Sequence, residues 1–168
     1  NKLSISDGNL VFADGNDTGV PGVWLGVDNA GPPATIDTVP GDAAYFSVTP
    51  ADLAGYSYFG FDINDALSLA RYFGLRGDGT IRATDAPKDI GIYTTAQQKF
   101  LLPRRASAGG HHFIQDGKLI WVDEVTVSES LFVAATSLSQ PLTFHEMALA
   151  PLADYNAAWG GDWTEVID

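Results

Sequence analysis

The stretch His111–Glu124, "HHFIQDGKLIWVDE", decides how the rest of the chain is read. Asp116-Gly117 supplies the pair of positive φ angles that a two-residue type I′ turn needs, and alternating apolar residues flank it on both sides. The stretch is therefore expected to be a β-hairpin. Neighbours in a strand point to opposite faces. His112 and Ile114 should share one face, with His111, Phe113 and Gln115 on the other. Leu119, Trp121 and Asp123 should likewise oppose Ile120, Val122 and Glu124. On this reading the adjacent histidines cannot chelate one metal together, and Asp123 and Glu124 diverge rather than pair. A plain hairpin with polar faces is the expectation. A zinc site needs three or four converging ligands, and the chain has three histidines in all. The third, His145 in "TFHEMAL", starts no HExxH motif, because position 149 is Leu.

The same rhythm runs through the chain. Leu3, Ile5, Leu10 and Phe12 alternate around "SDGN", which predicts a hairpin. "GVWLGV" (22–27), "AAYFSV" (43–48) and "YSYFGFDI" (56–63) read as further strands. In the last, Tyr56, Tyr58, Gly60 and Asp62 share one face, and Ser57, Phe59, Phe61 and Ile63 share the other. Residues 64–75 read as strand, with a short helical turn as the alternative. Residues 28–43, with three prolines, read as a long irregular loop. Strands recurring every 8–12 residues or so predict one all-β domain, an antiparallel two-sheet sandwich of jelly-roll or concanavalin-like type, over 1–152. Residues 153–168 are expected to form a C-terminal extension. Tyr155, Trp159 and Trp163 lie there among glycines and acids and are candidates for packing on a neighbour.

Composition narrows the function. The 168 residues carry 21 acidic and 9 basic side chains, a net charge of −12. Such a surface repels phosphate backbones and anionic membranes, which argues against nucleic acid as a partner. No run of 18 apolar residues exists, so no membrane-spanning helix is expected. Without cysteine there is neither a disulfide nor a thiolate metal site. The start at Asn1, with no signal-peptide pattern, is that of a processed product, an excised domain or a piece of a longer chain.

Catalytic motifs are missing. There is no G-x-S-x-G elbow, no P-loop and no E-x-D-x-x-E pattern of sandwich glucanases. A retaining glycosidase needs two carboxyl groups about 5 Å apart, and Asp62 with Asn64 fails that test. The expectation is a non-catalytic domain, with a sandwich glycosidase or polysaccharide lyase as the lesser alternative. Binding is better served. Sugar rings stack on exposed aromatic faces while their hydroxyls seek carboxylates and amides. Trp24, Tyr56, Tyr58 and Asp62 are the candidate ligand-binding residues, with core packing as the competing reading. The loop "DGNDTG" (14–19) sets Asp14, Asn16 and Thr18 at alternate positions. It lacks the acid at the twelfth position of an EF-hand, which is Leu25 here. Such an oxygen-rich loop can still hold Ca²⁺, against the alternative of a plain Asx turn.

The last third, "GGHHFIQDGKLIWVDEVTVSESLFVAATSLSQPLTFHEMALAPL", resembles the end of concanavalin-like β-sandwich domains in large bacteriophage tail and other virion proteins. The likeness covers residues 109–168 and is one of strand rhythm. It implies a structural or adhesion module in a virion or other extracellular assembly, with neighbouring subunits or further copies of the chain as partners and a surface glycan as ligand. It carries over no active-site residue. A carbohydrate-binding module of a secreted protein, calcium-stabilised, is the second expectation.

Overall fold

The computed structural model describes residues 3–6, 9–12, 23–24, 42–62, 69–84, 86–104, 110–125, 132–137 and 140–151. These residues form strands and connections with no helix among them. In chain order the strands are β1 (Leu3–Ser6), β2 (Asn9–Phe12), β3 (Val23–Trp24), β4 (Asp42–Pro50), β5 (Ser57–Asp62), β6 (Leu69–Leu75) and β7 (Thr80–Ala83). They continue as β8 (Gly91–Ile92), β9 (Gln98–Pro103), β10 (His111–Gln115), β11 (Lys118–Asp123), β12 (Phe132–Ser137) and β13 (Leu142–Pro151). Seven strands form one sheet in the order β1-β2-β13-β4-β9-β10-β11, and six form the other in the order β3-β12-β5-β6-β7-β8. Every pairing is antiparallel. The chain is a two-sheet antiparallel sandwich, as its periodicity predicts.

The core is where alternate side chains of the two sheets meet. Phe46, Phe100, Phe113 and Phe144 come from the seven-stranded sheet, and Phe59, Phe61 and Phe73 from the other; all are buried. The rings interlock. Phe59 lies 5.0 Å from Phe46, 5.1 Å from Phe100 and 5.7 Å from Phe144, in tilted and edge-to-face pairs. Each fully buried ring stabilises by roughly 1.5–3 kcal/mol. This inward set fixes register, since a slip of one residue would turn Phe59, Phe61 and Phe73 out to solvent.

The opening hairpin forms as expected. Asp116 and Gly117 take φ values of 46° and 81°, and β10 and β11 pair from His111↔Asp123 to Gln115↔Lys118. The turn is braced against β9: the Lys99 amide donates to Asp116 Oδ1 at 2.7 Å, and the Asp116 amide donates to the Lys99 carbonyl at 2.8 Å. Strict alternation breaks at one place. Phe113 faces Trp121 but Ile114 faces Leu119, so Ile120 is a bulge residue, and it packs against the core. His145 is the extra residue of a second bulge, between Phe144↔Val48 and Glu146↔Ser47, and its Nε2 lies 2.8 Å from Thr49 Oγ1.

The polar faces expected of this hairpin need correcting. His111 and His112 are both buried. They do point apart, with His111 on the inward face beside Phe113. Inside the sandwich His111 meets Arg71 of β6, Arg104 at the end of β9, Asp123 of β11 and the ring of Phe61 at 5.6 Å. Asp123 closes a buried ion pair with Arg71 that joins the two sheets. The sequence hides this cluster because its members come from β5, β6, β10, β11 and the residue after β9 and meet only when the sheets stack.

Candidate functional site

The outward face of the six-stranded sheet carries the other concentration of functional side chains. Since Phe59, Phe61, Phe73, Leu75, Ile81 and Ala83 point inward, Tyr58, Gly60, Tyr72, Gly74 and Arg82 must point out. Register sets them in two adjacent rows. One runs Thr136–Tyr58–Gly74–Arg82 and the next Trp24–Ala134–Gly60–Tyr72. In each row a tyrosine lies directly across from a glycine. A Cβ on Gly74 would come within 3.1 Å of the Tyr58 ring, so the glycine makes room for the ring to lie over its strand. A Cβ on Gly60 would stand 2.1 Å from the Arg71 carbonyl oxygen, and no side chain fits there.

Beside this pair of rows lies a cleft of about 260 Å³ lined by Tyr56, Tyr58, Tyr72, Arg76 and Arg82. Tyr58 and Tyr72 meet edge to face at 5.3 Å. Tyr56 is 42% exposed, at the mouth. Burial, and then the neighbouring Tyr72 and Tyr56, push the Tyr58 phenol above its ordinary pKa, so it stays protonated and able to donate. Asp89 holds both arginines: Arg76 Nη1 donates to its Oδ1 at 3.3 Å and Arg82 Nε to the same oxygen at 3.1 Å. Asp89 and Tyr56, by hydrogen bonds to its guanidinium, keep Arg76 more firmly charged. The turn after Arg76 is held by Asp78, whose carboxylate accepts from the Thr80 hydroxyl and amide and lies below its usual pKa for that reason.

Of the ligand-binding candidates, the cleft brings together Tyr56 and Tyr58. By register Trp24 falls in the row of Tyr72, and Asp62 ends β5 opposite Leu69; the side chains of both lie outside the described residues. So do Asp14, Asn16 and Thr18, the calcium candidates, and Tyr155, Trp159 and Trp163 of the extension. Among the described residues no three His, Asp or Glu side chains group to hold a metal. No helix among them is long and apolar enough to cross a membrane. Sequence reasoning missed Tyr72, Arg76 and Arg82, which join the site through cross-strand pairing. Glycines at alternate positions to tyrosines, in "YSYFG" and "RYFG", were the available sign.

No family model matches the chain, and no curated protein sequence matches it. Solved structures do. The carbohydrate recognition domain of Emp46p, in its potassium-bound form, superposes with a TM-score of 0.60 at 13% identity, over 89% of this chain and 86% of that one. The Caenorhabditis elegans galectin LEC-6 gives a TM-score of 0.51 at 8% identity, over 77% of this chain and 96% of that one. A sialidase gives 0.54 at 10% identity over 71% of this chain, which spans only 14% of the sialidase. At such identities the likeness establishes the fold, a concanavalin-like sandwich.

Proposed function

We propose that this chain is a non-catalytic glycan-binding domain of a secreted or extracellular protein, with its ligand seated in the cleft of Tyr56, Tyr58, Tyr72, Arg76 and Arg82. The observation that carries the reading is the paired tyrosine–glycine arrangement. Gly74 gives the Tyr58 ring its seat, and the half-buried Tyr58 and Tyr72 line a cleft with phenol and guanidinium donors around it. The apolar face of a sugar ring packs on an aromatic face, and its hydroxyls accept from the surrounding donors. The fold shared with a carbohydrate recognition domain and a galectin supports the reading by analogy. At about 260 Å³ the cleft is smaller than the ~300–1,000 Å³ of drug-sized ligand pockets, which suits the end of a glycan chain. An adhesion role within a larger extracellular or virion assembly, as the C-terminal resemblance implies, would use the same cleft.

The test is a glycan array followed by calorimetry on the best ligand. Tyr58→Ala removes an anchoring ring and is expected to weaken binding about 30-fold, equivalent to about 2 kcal/mol. Tyr58→Phe, which keeps the ring, should lose much less. Undiminished binding by Tyr58→Ala and Tyr72→Ala would exclude the cleft.

A further inference from the structure

We infer that the ligand of this cleft is an acidic glycan, one bearing a carboxylate or a sulfate that docks against Arg76 and Arg82. The inference rests on the glycan-binding reading and adds the ligand's charge. The chain has a net charge of −12, yet the five residues lining the cleft include two cations and no anion. One carboxylate oxygen, Asp89 Oδ1, takes a single N–H from each arginine. A guanidinium has five N–H donors in a planar fork. After its bond to Asp89, and for Arg76 a further one to Tyr56, each arginine keeps N–H donors of the geometry that carboxylate and sulfate oxygens accept. Both side chains are accessible to a ligand, at 34% and 40% exposure.

Asp89 does more than balance charge. By holding Arg76 and Arg82 at one point it sets both guanidiniums in place before a ligand arrives, so less side-chain freedom is lost on binding. Among the described residues a second carboxylate near Arg76, Asp78, is turned to Thr80. A ring stacked on Tyr58 lies in the row that ends at Arg82, which places an acidic substituent within the arginines' reach and a neutral hydroxyl there at a disadvantage.

The experiment uses the full chain and glycans in matched sets: neutral, uronate- or sialate-terminated, and O-sulfated on the same backbone. They are printed as an array, and the best-binding set is then measured by calorimetry. An anionic member should bind at least about tenfold more tightly than its neutral counterpart, and the ratio should shrink between roughly 50 mM and 0.5 M NaCl as the charges are screened. Whether the carboxylate or the sulfate member leads identifies the anion. Arg82→Gln, checked for folding by circular dichroism, should lower the acidic-to-neutral ratio toward one; Arg76→Gln serves if it does not fold. Equal affinity for neutral and anionic members would overturn the inference while leaving glycan binding intact. No binding to any set would sink both.

Discussion

Asp123→Ala is expected to lower the free energy of unfolding by about 3–5 kcal/mol, the range for breaking a buried ion pair from one side. Asp123 is 5% exposed and its partner Arg71 6%. Removing the carboxylate leaves the Arg71 guanidinium inside the sandwich beside His111, with no comparable anion supplied in exchange. For a domain of this size, each kcal/mol moves the midpoint by roughly 2–4 °C, so a fall of roughly 6–20 °C follows. Glu124→Ala, one residue along but exposed, should stay within about 0.5 kcal/mol of the parent. Replacing both partners with apolar residues, Arg71→Met with Asp123→Leu, should recover most of the loss. Urea unfolding of the four proteins checks this. An Asp123→Ala cost below about 1 kcal/mol would mean that the pair does not tie the sheets together.

The second large effect is on pH. Burial, reinforced by the charges of Arg71, Arg104 and His112, drives the His111 pKa from 6.5 to about 3. The neutral imidazole is thus the form that the fold accepts. The sign follows from linkage. Above pH 6.5 His111 is neutral folded and unfolded, and the full stability is present. As pH falls below 6.5 the unfolded chain takes up a proton that the folded chain refuses until about pH 3. Stability should therefore drop by roughly 1.4 kcal/mol per pH unit through this window on account of this one residue. His111→Leu cannot titrate, so its stability curve should be flatter by that slope between pH 6 and 4, whatever the carboxylates contribute to both proteins. Parallel curves for the two would show that His111 takes up its proton in the folded state too.

What could be read in the sequence was local and periodic. Asp116-Gly117 announced its turn, and the alternation of Phe59 and Phe61 against Tyr58 and Gly60 announced which face of β5 is buried. Both depend on neighbours in the chain. The pairing of β5 with β12, and of β4 with β9 and β13, spans long separations and leaves no local mark, and the register of β6 on β5 and of β7 on β6 is not fixed while residues 64–75 can be read as strand or as helical turn. For that reason Tyr56 and Tyr58 were legible as candidates, but Tyr72, Arg76 and Arg82 were not. The histidines misled for a related reason. Polar side chains in a hairpin look solvated until the second sheet stacks on them and encloses His111 beside the Phe61 ring and the Arg71–Asp123 pair. The Ile120 and His145 bulges also escaped, because one extra residue in a strand leaves apolar and polar types in an order that alternation alone cannot resolve.

The most direct test of the cleft is a ¹H–¹⁵N correlation spectrum of the full chain titrated with the best array ligand. The amides of Tyr58, Tyr72, Gly74, Arg76 and Arg82 should shift first and furthest. Shifts centred instead on the seven-stranded sheet, or around His111 and His112, with those five amides unmoved, would contradict the assignment of the outward face of the six-stranded sheet as the binding surface.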